Sequence, residues 1–299
     1  MKAGVARVGE DRVVVMPLGS RWLNVTRLWA DYNENVEAID PAPLRCVGDL
    51  VRRGYMNRSF YRRVAEYAQR HGRLDQYSLE GEPDFCLPLR PGKIIAIGRN
   101  YRAHAEELGN AVPEEPLFFC KSPTACIGPK DPIVVKDWYG RVDHEGELAV
   151  VIGAGGKDIA HDRALEHVAG YTLLNDVTAR DMQKADKDRG HPWYRSKNLD
   201  TFCPVGPLVA FRETLSQPLE VDVTTRVNGE VRQQGNTRQF LFDLETLIAH
   251  VSRYMTLEPG DLIATGTPEG VGPLQPGDSV EVECPDIGVL HNPVTTAQL

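Results

Sequence analysis

Val142-Asp143-His144-Glu145-Gly146-Glu147-Leu148-Ala149-Val150-Val151-Ile152-Gly153 sets two carboxylates two residues apart at the mouth of an apolar, β-branched run. Such a run reads as a buried strand. Residues i and i+2 of a strand share a face, so Glu145 and Glu147 project together beside a core. Like charges held that close repel, and burial makes each more costly. A divalent cation is the simplest resolution. A third acid, Asp176, lies in a similar apolar setting, Gly170-Tyr171-Thr172-Leu173-Leu174-Asn175-Asp176-Val177. Three hard oxygen donors without a nearby cysteine favour Mg²⁺ or Mn²⁺, with Ca²⁺ as a further option, over zinc. The alternative is a solvated strand edge whose acids pair with Arg or Lys. The spacing turns His144 away from both glutamates, which makes it a structural or supporting residue.

Working outward, the chain from Lys93 is mainly β. Ile94-Ile95-Ala96-Ile97 is a buried-strand candidate. Leu219, Val221, Val223, Thr225 and Val227 alternate with polar residues and lead into Asn228-Gly229, a two-residue hairpin signal. Asp261–Thr265 and Ser279–Glu283 read as later strands. One helix is predicted from about Asp243 to Met255, with Leu244, Leu247, Ile248, Val251 and Met255 on one stripe. Strand and helix do not alternate regularly, which argues against a doubly wound sheet. The first 88 residues read as a small α+β module. It opens with a hairpin around Gly9-Glu10-Asp11 and contains a helix from a Ser59 cap through His71. Pro83, Pro88 and Pro91-Gly92 mark its end, leaving 89–299 as the main domain.

The chain has 299 residues and a formal net charge of −8 with no basic block, which argues against a nucleic-acid partner. The six cysteines form no C-x-x-C pair and are expected to be reduced thiols. No signal-peptide core and no apolar run of membrane-spanning length is found, so a cytoplasmic location without a membrane partner is expected. Gly153-Ala154-Gly155-Gly156-Lys157 departs from both the phosphate-loop and the dinucleotide patterns.

Three further constellations carry chemistry. Gly98-Arg99-Asn100-Tyr101-Arg102-Ala103-His104-Ala105-Glu106-Glu107-Leu108-Gly109 reads as a short helix after the Ile94 strand, ended by Gly109. His104 and Glu107 share a helix face, and a carboxylate beside imidazole makes a usable general base; the alternative is a surface histidine. Arg180 and Gln183, directly after Asp176, are one helical turn apart and could reach back over a metal. Lys197 is a candidate for holding an anion or a developing enolate, or else an ordinary surface charge. Ala264-Thr265-Gly266-Thr267-Pro268-Glu269-Gly270-Val271-Gly272 is either a ligand-approaching loop or simply a tight turn.

Together these segments resemble the fumarylacetoacetate hydrolase family over residues 93 to 294. The matching blocks, in chain order, are G-R-N-Y-R-A-H-A-E-E (98–107), H-E-G-E-L-A-V-V-I-G (144–153), N-D-V-T-A-R-D-M-Q (175–183), W-Y-R-S-K-N-L-D-T-F-C-P-V-G-P (193–207), V-N-G-E (227–230) and G-D-L-I-A-T-G-T-P-E-G-V-G (260–272). The resemblance implies a mainly β (α+β) fold of mixed β-roll type and a homodimer. It implies Glu145, Glu147 and Asp176 as ligands of Mg²⁺ or Mn²⁺, and a lid-borne His104–Glu107 dyad that activates water. Arg180, Gln183, Lys197 and Thr267 would contact substrate and oxyanion. The implied reaction is carbon–carbon bond hydrolysis in a small anionic 2-oxo acid with a second carbonyl, of acylpyruvate or fumarylpyruvate type. The same platform supports decarboxylation, isomerisation or tautomerisation of a 2-oxo acid. A non-catalytic small-molecule binder is the alternative from another class.

Overall fold

Gly146–Ile152 is a strand buried at every position, and a computed structural model of residues 1–107 and 111–296 shows why. The strand lies inside a 12-stranded sheet covered on both faces. Ala149 and Val151 belong to one hydrophobic cluster, with Trp29, Phe60 and Leu28 from N-terminal helices. Leu148, Val150 and Ile152 belong to another, with Leu247, Ile248 and Val251 of the helix Leu244–Tyr254. A strand with two apolar faces has no polar alternation to show, hence the unbroken run in the sequence.

Across the sheet the neighbours are Ser78–Leu79, Arg21–Asn24, Asp11–Leu18, Lys2–Val8, Cys203–Phe211, Val168–Asn175, Gly146–Ile152, Leu262–Ala264, Ile94–Gly98 and Leu117–Lys121. Pairing along this path is antiparallel except between Leu262–Ala264 and Ile94–Gly98. A five-stranded sheet runs Glu230–Asn236, Asp222–Val227, Ser279–Cys284, Gly288–Thr296, Ile133–Val135. Its Val223, Val282 and Leu290 share the cluster of Leu148 and Val150. The fold is therefore mainly β with short helices attached, an α+β architecture. Among the described residues no helix is long and apolar enough to cross a membrane.

The N-terminal hairpin turns at Gly9-Glu10 and pairs Val8 with Asp11. Its first strand continues the large sheet, pairing Lys2 with Ala210 and Gly4 with Leu208. The helix expected to start from Ser59 spans Arg58–Arg70 and is capped two residues earlier, by Asn57. The Asn57 Oδ1 accepts the Phe60 N–H at 2.9 Å, the bond a capping side chain makes with the third helical residue. Ser59 lies inside the first turn. The predicted stop at Gly109 lies outside the described residues; the helix before it covers Arg102–Glu107. All six cysteines are free.

Candidate metal centre and active site

Two neighbouring strands bring the acids together. Gly146 pairs with Asn175 and Glu147 with Leu174. One step beyond the ladder, the Asp176 N–H donates to the Glu145 carbonyl at 2.8 Å. The Glu145 N–H donates to Asn175 Oδ1 at 2.9 Å. Glu145 sits at the break between strands Val142–His144 and Gly146–Ile152, so the predicted shared face is reached across an irregular residue. Gly146 is glycine for space: a Cβ there would collide with Thr225 Oγ1 of the facing sheet. One carboxylate oxygen from each of Glu145, Glu147 and Asp176 falls within 4.8 Å of the others, and all three residues are buried.

Cations surround part of this cluster. Lys197 Nζ donates to Glu145 Oε2 at 2.7 Å and to Asp176 Oδ2 at 2.6 Å. Arg180 donates to Glu145 Oε1 at 2.5 Å, to Asp143 Oδ2 at 2.8 Å and to Gln183 Oε1 at 2.8 Å. Lys121, fully buried, lies 2.6 Å from Asp176 Oδ1 as a charge contact and donates to the Lys197 carbonyl at 2.5 Å. Burial pushes the Glu145 carboxyl upward, but Lys197 and Arg180 outweigh it and hold Glu145 far below the usual range. Burial opposes the charge of Lys197, yet Asp176 and Glu145 raise its pKa.

Glu147 is different. Its Oε2 accepts the Gly266 N–H at 2.8 Å, and among the described residues no cation pairs with it. Burial, then Asp176 and Glu145, drive its pKa well above the ordinary carboxylate range. Gly266 makes this contact from a backbone with φ +98°, which favours glycine. A buried carboxylate without a counter-charge, beside two more hard oxygen donors, fits a small divalent cation. The side-chain ion pairs satisfy Glu145 and Asp176 and leave Glu147 repelled.

His104 stands on the helix Arg102–Glu107 and is 5% exposed. Its Nδ1 lies 3.5 Å from Glu107 Oε2, at ion-pair distance, and makes no directed hydrogen bond. Both Glu107 oxygens accept the Gly270 N–H at 3.1 Å, which ties the helix to the Thr265–Gly270 loop. Burial lowers the His104 pKa, partly offset by Glu145, so the ring is neutral near pH 7. Thr267 donates to the Gly146 carbonyl at 2.9 Å.

Eight of the nine residues singled out from sequence line one cavity of about 220 Å³: Glu145, Glu147, Asp176, Lys197, Arg180, Gln183, Thr267 and His104. Glu107, the ninth, stands behind His104. Two supporting residues escaped sequence reading. Lys121 left a weak signal, a lysine ending the strand Leu117–Lys121. Gln233 left none. It is buried on an otherwise largely exposed stretch, accepts the Gly146 N–H at 3.0 Å, and donates to Thr267 Oγ1 at 2.7 Å. His144 faces Gln233 at 3.1 Å, in the supporting position expected of it.

The model of the fumarylacetoacetate (FAA) hydrolase C-terminal family matches residues 93–295. The human mitochondrial oxaloacetate tautomerase FAHD2A is 43% identical over 221 residues, 71% of this chain and 70% of its own. The crystal structure of 5-carboxymethyl-2-hydroxymuconate delta-isomerase from Mycobacterium smegmatis superposes with a TM-score of 0.74. It is 35% identical and covers 100% of both chains. Fumarylpyruvate hydrolase from Pseudomonas aeruginosa, solved with Mn²⁺ and pyruvate, has a TM-score of 0.66 and 34% identity, over 71% of this chain and 91% of that one.

Proposed function

The chain belongs to the fumarylacetoacetate hydrolase family, and on that premise we propose that it is a divalent-metal-dependent enzyme hydrolysing a carbon–carbon bond in a small 2-oxo acid of acylpyruvate type. One observation carries the reading: a buried three-carboxylate cluster, whose Glu147 has no side-chain counter-charge among the described residues, and a neutral histidine open into the same small cavity. Glu145, Glu147 and Asp176 would hold Mg²⁺ or Mn²⁺, which would supply Lewis acidity toward the oxygens of the 2-oxo acid.

The chain's own groups do the rest. Neutral His104 takes a proton from water in the cavity, and Glu107 stabilises the imidazolium that results. The hydroxide adds to the distal carbonyl. Lys197 and Gln183 face the negative charge that develops on the substrate. The carbon–carbon bond breaks with its electron pair delocalised into the pyruvate enolate. Protonation of that enolate, with return of the His104 proton to solvent or product, completes the balance. Arg180 spans Asp143, Glu145 and Gln183 and so fixes part of the cavity wall.

A second reading, isomerisation or tautomerisation, is favoured by two observations. The relatives include a tautomerase and an isomerase. The Nδ1 of His104 also lacks a directed bond to Glu107, and a lone proton carrier suffices for moving a double bond. Product analysis with Mn²⁺ separates the readings. Pyruvate plus a carboxylic acid from an acylpyruvate supports hydrolysis. Keto–enol exchange of oxaloacetate without cleavage supports the second reading, and carbon dioxide would indicate decarboxylation. Binding of a 2-oxo acid with no product of any kind would overturn the assignment as an enzyme.

A further inference from the structure

The cavity has a second charged region that the hydrolytic scheme leaves unused. Arg99 lines it, half-buried, and among the described residues its guanidinium pairs with no carboxylate. Every other arginine or lysine placed in the mechanism is already engaged with an acid. Arg99 also holds φ at +60°, a backbone region that side chains other than glycine, asparagine and aspartate seldom occupy. Asn100 imposes it. The Asn100 side chain accepts the Phe242 N–H at 2.9 Å and donates to the Thr265 carbonyl at 3.0 Å, and its own carbonyl accepts the Leu241 N–H at 2.8 Å. Unfavourable backbone retained under such constraint is a mark of functional sites.

A chain of ring contacts relates Arg99 to the buried acids. Lys197 Nζ lies 5.2 Å from the Phe119 ring centre, Phe119 meets Trp193 edge-on at 6.0 Å, and the Arg99 guanidinium lies 5.5 Å from the Trp193 ring. The apolar side chains of Phe119 and Trp193 therefore lie between the acid cluster with its Lys197 and the guanidinium of Arg99. Burial alone acts on the guanidinium, with no neighbouring acid to steady it.

We propose that Arg99 determines specificity: it receives a second, terminal carboxylate of a 2-oxo dicarboxylic acid whose 2-oxo end lies at the acid cluster. This deepens the reading above and rests on the cavity accepting 2-oxo acids. A planar guanidinium backed by an aromatic ring offers a paired donor edge to a carboxylate and has nothing comparable to offer a neutral acyl tail.

Calorimetry of the Mn²⁺-loaded protein with 2-oxoglutarate and 2-oxopentanoate tests this, because the two ligands share a chain length and differ in the terminal carboxylate. The wild-type chain should bind the dicarboxylate at least about tenfold more tightly, and Arg99→Asn should shrink that ratio to about twofold or less. Asparagine accepts the left-handed backbone, so the variant should keep its melting temperature. Arg99→Lys should keep part of the preference, and Lys184→Met, at the same cavity rim, all of it. An unchanged ratio in Arg99→Asn, a ratio lost in Lys184→Met, equal binding by the wild type, or binding of neither ligand would each overturn the assignment. If the preference follows Arg99 while no acylpyruvate or oxaloacetate is converted, the proposed function fails and the role of Arg99 stands.

Discussion

Burial acts on His104, the base of the proposed reaction, with a measurable sign. Desolvation disfavours the imidazolium, so its pKa falls below the ordinary 6.5. The proton-accepting neutral form therefore persists below pH 6.5 and is lost as the pH falls through the lowered value. We expect kcat/KM to be flat near neutrality with an acid limb whose midpoint lies under 6.5; a midpoint above it would contradict this account. His104→Gln should lower kcat by about 10²–10⁴-fold while Mn²⁺ affinity stays near wild type. Loss of Mn²⁺ binding in that variant would show that His104 serves the metal and not the proton.

At the scale of elements, the acids depend on how closely two sheets approach. Gly146 faces Thr225 and Val282 of the five-stranded sheet without room for a methyl group. Gly146→Ala should destabilise the protein by about 1–3 kcal/mol, the usual cost of overpacking. It should also weaken Mn²⁺ binding, because the strain falls between Glu145 and Glu147. Denaturant melts and a metal titration check the two effects separately. Asn57→Ala removes the cap of helix Arg58–Arg70 and should cost about 1 kcal/mol. That variant should leave metal affinity unchanged, since no residue of the helix lines the cavity of the acids. The cap illustrates a limit of sequence reading. Ser59 and Asn57 are both good caps, and only the backbone extension at Asn57 decides between them.

For the whole molecule, a dication held by Glu145, Glu147 and Asp176 would bind the folded chain alone, since the acids come from separate strands. At a free concentration about a hundredfold above Kd it should stabilise the fold by about 2.7 kcal/mol. Thermal melts in Mn²⁺ against a chelator read this directly, and Glu147→Gln should abolish most of the difference. Equal melting temperatures with and without the metal would remove the basis for the metal centre. The same scale holds the N-terminal segment. Its first strand pairs with Cys203–Phe211, so residues some two hundred positions apart share one ladder. Nothing local in either segment encodes that partnership.

The sequence by itself determined several strands, among them Ile94–Gly98 and Gly146–Ile152, the hairpin turns at Gly9 and Asn228, and which three acids stand beside the core. A carboxylate pair inside an apolar β-branched run is a local contradiction, visible without any partner. Lys121, Gln233 and the counter-charges on Glu145 and Asp176 were decided only by the tertiary structure. Register between distant strands sets which charge meets which, and so leaves Glu147 as the acid that no side-chain cation neutralises.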